Sequence, residues 1–509
     1  VSNAWLLIAI LLSSLLPGLV IFLLDESQHR LRTRLNLAGA GVKVILVALL
    51  IAGVAQNNVY ELRLSWVPGM DLFLRADALS VLFISLSTLL WLLTTVYAIG
   101  YLEDSPHRSR FFGFFSLCVT ATIGLALAGN LLSFLLFYEL LTVFTFPLVV
   151  HRGTPEALRG GRIYLQYTVA GGALMLVGVA ALQALVGPQD FSDGGFLATI
   201  DPRFHGLLTL LFFVLLAGVG VKAALVPLHA WLPAAMVAPA PVSALLHAVA
   251  VVKAGAFGIV RIVYDVYGVE FAQDLGVLLP LAVIAGITIL YGSFRALQAD
   301  GLKKRLAYST ISQVSYIALG IGLSGPLASL GGIVHLVHQG LMKITLFFCA
   351  GSLAETHEIH RVSEMNGVGQ RMPWTMAAFT IAALGMIGVP PVAGFVTKWY
   401  LGSGALVSGQ GWALGLLAAS SLLNAAYFLP ILYRAWFLAE SPAATPPPRT
   451  ASNGGASRIA DERIQEAPRA LLIPSLITAA LALFAGLLAA SPLSPLALAE
   501  LVVQREYEP

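Results

Sequence analysis

The sequence is poor in charge. Of its 509 residues only 11% are Asp, Glu, Lys or Arg, whereas 58% are hydrophobic. A soluble protein carries roughly 25% charged residues, and a globule of this length could not cover its surface with so few. That scarcity excludes a soluble enzyme, a disordered protein and a nucleic-acid binder. Cysteine is nearly absent too: Cys118 and Cys349 both lie in apolar runs and supply neither a disulfide framework nor a thiolate metal site. No phosphate-binding glycine loop follows a strand-like segment, so no nucleotide or other cofactor is expected. The net charge of +3 points to no acidic partner.

What the sequence does have is long apolar runs. A bilayer-crossing helix needs about 20 mostly apolar residues, and fourteen such runs can be read: 4–24, 36–54, 78–101, 112–129, 131–150, 163–187, 207–226, 240–264, 276–297, 306–323, 327–352, 373–404, 411–433 and 470–491. They predict an all-α polytopic membrane protein. Spanning strands are not expected, because a sheet in lipid must close into a barrel. The charged stretch Asp25–Arg34 follows the first run with no small-residue cleavage site, so that run reads as a retained helix. The longest loop holds Ser441-Pro-Ala-Ala-Thr-Pro-Pro-Pro and Asn453-Gly-Gly, the composition of a linker. Nineteen basic residues fall in one alternating set of loops or at its edges, and five in the other set or at its edges. By the positive-inside rule both termini are non-cytoplasmic.

Five basic residues remain inside the runs, all lysines: Lys43, Lys222, Lys253, Lys343 and Lys398. Glu139 is the one acidic residue within a run. Each such group costs about 2.5–3.5 kcal/mol on insertion scales, so each is a functional candidate. Lysine can surrender its proton when buried, whereas arginine stays charged; a row of buried lysines can therefore carry protons. Lys43 lies close to the start of its run and reads mainly as a snorkelling residue. His247 shares a run with Lys253. His335 and His338 lie three apart on one helical face, with Lys343 near it, and histidine titrates near neutral pH. A metal site is not expected: no cysteine or carboxylate joins that pair, and Thr356-His-Glu-Ile-His360 lacks the His-Glu-x-x-His spacing.

Two runs carry helix breakers beside a lysine. Lys222 precedes Pro227 and Pro233 in the seventh, and Pro390-Pro391 precedes Lys398 in the twelfth. Proline removes a backbone donor, and broken spans are tolerated where they line a polar cavity. Paired broken spans in two halves point to an inverted repeat. The lysines are 176 residues apart, but the same offset takes Glu139 to the neighbourhood of Ser315, so the halves are not equivalent.

These residues resemble the antiporter-like proton-channel subunits of Mrp-type cation/proton antiporters, respiratory complex I and membrane-bound hydrogenases. The resemblance spans about 70–437. It rests on Asn130-Leu-Leu-Ser-Phe-Leu-Leu-Phe-Tyr-Glu139, Gly220-Val-Lys222, Pro227-Leu-His-Ala-Trp-Leu-Pro233, Pro241-Val-Ser-Ala-Leu-Leu-His247, Lys303-Lys-Arg-Leu-Ala-Tyr-Ser-Thr-Ile-Ser-Gln313, His335-Leu-Val-His338 with Lys343, and Gly388-Val-Pro-Pro391 through Lys398. It implies fourteen helices with two inverted five-helix units. The corresponding organisation is residues 1–110 (helices 1–3), 111–264 and 265–437 (the repeats), 438–469 (a cytoplasmic linker) and 470–509 (the last helix). It also implies a Glu139–Lys222 pair, Lys253 as the central lysine, Lys398 on the broken twelfth helix and a hydrated path joining them. Met342-Lys-Ile-Thr-Leu-Phe-Phe and Phe395-Val-Thr-Lys-Trp-Tyr look most like the D-type Mrp subunit. One departure is Gln339, where many relatives carry His; His338 stands one position earlier. The resemblance implies a subunit of a bacterial inner-membrane complex that exchanges Na⁺ for protons alongside other membrane subunits. The alternative is the proton-pumping subunit of a redox-driven complex, with no redox or hydrolytic site in this chain.

Overall fold

The computed structural model describes residues 4–67, 69–102, 105–439 and 464–507. The chain begins with α1 (Ala4–Phe22) and α2 (His29–Ala55). A hairpin, β1 (Glu61–Val67) and β2 (Met70–Arg75), follows. Then come α3 (Ala78–Tyr101), α4 (Arg108–Ala126), α5 (Leu131–Val149), α6 (Pro155–Val186), α7 (His205–Ala223) and α8 (Ala240–Tyr267). The second half holds α9 (Leu278–Gln298), α10 (Leu302–Gly322), α11 (Pro326–His357), α12 (Pro373–Ile387), α13 (Ala393–Val407) and α14 (Trp412–Phe437). It is followed by α15 (Arg469–Leu487) and α16 (Pro495–Tyr507).

Helix starts follow from local chemistry. Asp77 accepts from Ser80 N at 2.7 Å, Asn130 from Ser133 N at 2.8 Å and Thr154 from Ala157 N at 3.2 Å; each satisfies an amide that the first turn leaves free. Pro155, Pro326 and Pro373 occupy first turns, where no amide hydrogen is needed.

Twelve helices among the described residues are long and apolar enough to cross a membrane. Of the fourteen expected runs, the tenth is the more polar α10 and the twelfth is split into α12 and α13. The central windows of α8 and α11 are wholly buried, whereas α1, α2, α6 and α14 expose most of theirs. The fold is thus a ring of lipid-type helices around α8 and α11. The linker expected at 438–469 lies largely outside the described residues.

Four features depart from expectation. The β1–β2 hairpin is a short strand pair, outside the exclusion of spanning strands, and it is tied to the end of α4, where Phe73 O accepts from Gly129 N at 2.9 Å and Arg75 N donates to Leu127 O at 2.7 Å. The eighth helix runs past 264 to Tyr267, because Arg261 is paired in place with Asp77 (2.6 Å) and Asp265 (3.0 Å); Arg261 is therefore a buried helix residue and not a loop one. An extra helix, α16, follows the last run. Lys43 is the clearest correction: α2 starts seven residues before the apolar run, so Lys43 sits in mid-helix, fully buried, and does not snorkel.

The two sets of loops separate. At one end Arg110 binds His151 O (3.0 Å), Lys303 binds Ala238 O (2.5 Å) and Gly301 bridges to Arg361. At the other end the hairpin, the Asp190 loop and α16 gather. There Asn130 bridges to Asp190, and Gly325 N donates to Tyr507 Oη at 3.0 Å.

Candidate functional site

Glu139 lies on α5 and is half-buried. Its carboxylate rests against α6 at Gly172, where an added Cβ would come within 1.9 Å of Oε1; only glycine leaves that space. It lines a groove of about 410 Å³ together with Asp71, Ser133, Val169 and Leu176.

Lys222, in the last turn of α7, is fully buried. It does not touch Glu139: among the described residues Glu139 forms no ion pair. Lys222 Nζ instead donates to the carbonyl of Tyr138, the residue before Glu139, and lies 3.4 Å from the centroid of the Tyr138 ring. The two charges act on each other across that short gap. The expected pair is brought together as neighbours rather than as a direct ion pair.

Beyond Lys222 the helix breaks. Ala224 adopts a left-handed conformation, Pro227 and Pro233 follow, and the chain re-forms only a single helical turn, Trp231–Ala234. The break frees carbonyls at the end of α7. The Trp231 indole donates to one of them, Val221 O, at 2.6 Å, and Thr288 of α9 accepts the Val226 amide at 3.0 Å. Polar backbone exposed at mid-membrane depth is thereby satisfied by protein.

Lys253 stands at the centre, on α8, fully buried, with no protein partner for its ammonium. Gly255 lets α8 press on the end of α7: a Cβ there would come within 2.1 Å of Ala223 N. The Lys253 charge acts on both His335 and His338 of α11. Each of those histidines shares Thr397 of α13 through Nδ1, at 3.2 and 3.0 Å, and leaves Nε2 without a protein partner. Both amide atoms of the neighbouring Gln339 are also unpartnered.

Lys398, next to Thr397, reaches back across the second break. Its Nζ donates to Ile387 O at 2.6 Å, Met386 O at 3.4 Å and Ser421 Oγ at 2.8 Å. The lysine thus caps the carbonyl end of α12, where the helix dipole favours a cation. Asn424 adds a bond to Met386 O at 3.1 Å. Pro390 and Pro391 occupy the gap between α12 and α13.

Lys343 is not on the histidine face. Eight residues beyond His335 is about 80° round the helix, and its Nζ turns to α10, donating to Ser309 Oγ and to Leu306 O at 3.2 Å. On the same side His247, in a π-turn of α8, stacks on Phe347 (centroids 4.4 Å) and meets Met236 Sδ at 3.3 Å. Met236 in turn lines a cavity of about 340 Å³ at the basic end, with Tyr101, Arg152, Lys303 and His360. Burial and the nearby Arg152 pull the Lys303 ammonium, just outside the spans, down to about 7.

The residues that sequence reading missed are the uncharged partners: Thr397, Ser309, Ser421, Asn424 and Trp231. Ser309 and Trp231 lay inside quoted motifs, and Thr397 adjoins Lys398; no charge marked the others. No group of three His, Cys, Asp or Glu side chains suited to a metal ion occurs among the described residues.

A family profile described as "NADH:quinone oxidoreductase/Mrp antiporter, TM" matches residues 128–424. One described as "NADH-Ubiquinone oxidoreductase (complex I), chain 5 N-terminus" matches 69–112. The chain is 36% identical over 379 residues to NADH-quinone oxidoreductase subunit N of Desulforudis audaxviator (strain MP104C), covering 73% of this chain and 74% of that protein. It is 27% identical over 452 residues to the D-type component of the Na(+)/H(+) antiporter of Bacillus subtilis (strain 168), covering 88% and 90%. A chain of the Mrp complex from Dietzia sp. DQ12-45-1b shares the fold, with a TM-score of 0.84 over 99% of this chain and 98% of that one at 23% identity.

Proposed function

This chain belongs to the NADH:quinone oxidoreductase/Mrp antiporter transmembrane family, and we propose that it is the proton-translocating subunit of a multi-subunit Na⁺/H⁺ antiporter. The observation that carries this reading is the file of ionisable groups across both halves: Glu139, half-buried, then Lys222, Lys253, His335 and His338, fully buried, then Lys398, half-buried. No two of them form a direct ion pair, yet each acts on a neighbour's charge or shares its partner. Buried polar atoms in folded proteins are satisfied by protein or water. The unpartnered Lys253 Nζ, His335 Nε2, His338 Nε2 and Gln339 amide are therefore sites for water, which lets a proton pass where side chains do not touch.

In this mechanism a proton enters from the basic end, reading that end as cytoplasmic. The cavity under Lys303 leads to Met236 and His247, and the proton is taken up by a buried lysine. Protonation of one lysine disfavours charge on the next, since two like charges in low dielectric repel strongly. Glu139 near Lys222 offsets the charged form there. Proton uptake at one group thus drives release at the neighbour, along the membrane plane and then outward. Fourteen spans, two inverted five-helix units broken at Pro227/Pro233 and Pro390/Pro391, both termini outside and a bacterial inner membrane complete the reading. The partners are further membrane subunits, met helix to helix through apolar faces, within lipid.

A second reading is a proton-pumping subunit of a redox-driven quinone oxidoreductase, favoured by the 36% identity to the Desulforudis audaxviator protein. The test is ion flux in inside-out vesicles carrying the assembled complex. Glu139→Ala and Lys222→Ala are expected to abolish cation-driven proton movement while co-purification of partners persists. Wild-type flux in both assembled variants would sink the mechanism. Flux that requires NADH or another electron donor, and ignores Na⁺, would select the second reading.

A further inference from the structure

Lys43 lies outside the central file, yet it is buried as completely as Lys222 or Lys253. It sits on the peripheral α2, where that helix meets the peripheral α1 and the largely buried α4. On α2, Arg32, Asn36 and Lys43 are spaced by four and seven residues, and on α4 Ser109, Ser116 and Thr120 by seven and four. Each set therefore lies on one helix face, and the two faces meet.

The side-chain contacts form three pieces, Lys43–Ser14–Thr120, Ser116–Asn36 and Arg32–Ser109, joined through the backbone carbonyls of Ser116 and Arg32. Lys43 Nζ donates to Ser14 Oγ of α1 at 2.6 Å, and Ser14 Oγ meets Thr120 Oγ1 at 2.8 Å. Thr120 bonds Ser116 O at 3.0 Å, and Ser116 Oγ reaches Asn36 Oδ1 at 3.5 Å. Asn36 Nδ2 donates to Arg32 O at 3.1 Å, and Arg32 donates to Ser109 Oγ at 2.7 Å. At the foot the exposed Glu26 accepts from Ser109 N at 2.9 Å and pairs with Arg32 at 3.6 Å. From Arg32 to Lys43 the rise is about 16 Å at 1.5 Å per residue, about half the hydrocarbon thickness.

We propose that this file is a second proton path, leading from the basic end at Glu26 and Arg32 to Lys43 as its proton acceptor; it rests on the proton-translocating reading above. The hydroxyls of Ser14, Thr120 and Ser116 and the Lys43 ammonium can pass a proton, whereas the Ser116 and Arg32 carbonyls and the Arg32 guanidinium cannot, so the path needs waters beside those links to complete it. The groups facing Lys43 are Ser14 from α1, Thr120 from α4 and the Trp91 ring of α3, 5.0 Å away. None is a carboxylate; the charged members of the file are Arg32 and Glu26 at its foot. An ammonium held only by a hydroxyl and a ring is costly to bury as a permanent charge, which suits a group that gains and loses a proton. Onward transfer has a route through α3, which packs against α2, α8 and α11 and carries Ser87, Thr88 and the Trp91 indole as buried groups without a protein partner.

The experiment compares Lys43→Gln, Thr120→Val and Lys253→Gln in inside-out vesicles, each with the assembled complex quantified by co-purification. Gln keeps a donor for Ser14 but cannot titrate, and Thr120→Val cuts the file while leaving the lysine. Both are expected to slow proton flux about tenfold or more, the scale of losing a proton-transfer group, and to flatten its dependence on pH at the basic end. Wild-type flux and pH profile in an assembled Lys43→Gln complex would overturn the proposal and leave Lys43 as polar glue between helices. If Lys43→Gln fails to assemble, Thr120→Val decides by the same criteria. Lys253→Gln separates the two readings: unchanged flux there removes the functional reading itself, whereas loss there with unchanged flux at Lys43 and Thr120 removes only this path.

Discussion

The two broken helices solve one problem in opposite ways. At the first break the lysine comes before the gap: Lys222 ends α7, binds a carbonyl of another helix, and leaves the freed carbonyl of Val221 to the Trp231 indole. At the second the lysine comes after the gap, and Lys398 itself covers the freed carbonyls of Met386 and Ile387. The first half also has a carboxylate nearby, Glu139, and the second has none. There two histidines share one hydroxyl, that of Thr397. In the first half an acid stands beside the lysine; in the second a helix end does. Under the proposed mechanism the two lysines thus work in different surroundings.

Variants at four positions would break or sharpen this contrast. The largest effect is expected at the lysines. Lys398→Ala removes a proton carrier and uncovers the Ile387 carbonyl, while Asn424 still holds Met386 O, so flux should fall at least about a hundredfold; the thermal midpoint of the detergent-purified complex should fall too. Lys222→Ala should match it in flux with a smaller loss in midpoint, since Trp231 still covers the first break. Equal midpoints would erase the contrast. Next, Thr397→Val cuts both histidines from their shared hydroxyl and should slow flux about tenfold, while Thr397→Ser restores it; vesicle fluorescence assays read both. Then Trp231→Phe leaves the Val221 carbonyl with the Ala224 amide alone, at 3.1 Å, a loss of about 0.5–1.5 kcal/mol, visible as a slightly lowered unfolding midpoint.

The smallest effect lies outside the spans. Burial, with Asp265 nearby, pushes the Glu506 carboxyl up to about 8, against about 4.3 for a free Glu. The folded chain therefore holds this proton longer than the unfolded one. Its contribution is complete below about 4.3 and is lost as pH rises through about 8. The protection of the Gly194 and Val269 amides, which donate to Glu506, taken relative to their intrinsic exchange rate at each pH, should fall a few-fold above that pH, and Glu506→Gln should remove this change in protection.

The lysines and Glu139 were legible because a bilayer makes every ionisable residue in an apolar run conspicuous. The breaks were legible because proline is. Their partners were not: a lone Thr397, Ser421 or Asn424 in a run is common and inexpensive, and only packing shows which one meets a histidine or a lysine. Lys43 was misread because hydropathy starts its run at residue 36, whereas α2 begins at His29 and carries Arg30, Arg32 and Arg34 in its opening turns. Arg261 and Asp265 hid the end of α8 for the same reason; charges that neutralise each other inside a helix look like a loop when counted one by one. The resemblance implied a Glu139–Lys222 pair without a distance, and the one-residue step from Glu139 to the Tyr138 carbonyl is finer than a sequence resolves.

The central claim is that buried lysines work by releasing protons, not by holding fixed charge. Lys253 tests it best, since no protein partner anchors its ammonium. The measurement is cation-driven proton flux in inside-out vesicles carrying the assembled Lys253→Arg complex, in which the charge stays but its proton cannot leave. The account predicts that flux is lost while assembly is retained. Flux at the wild-type rate would contradict it.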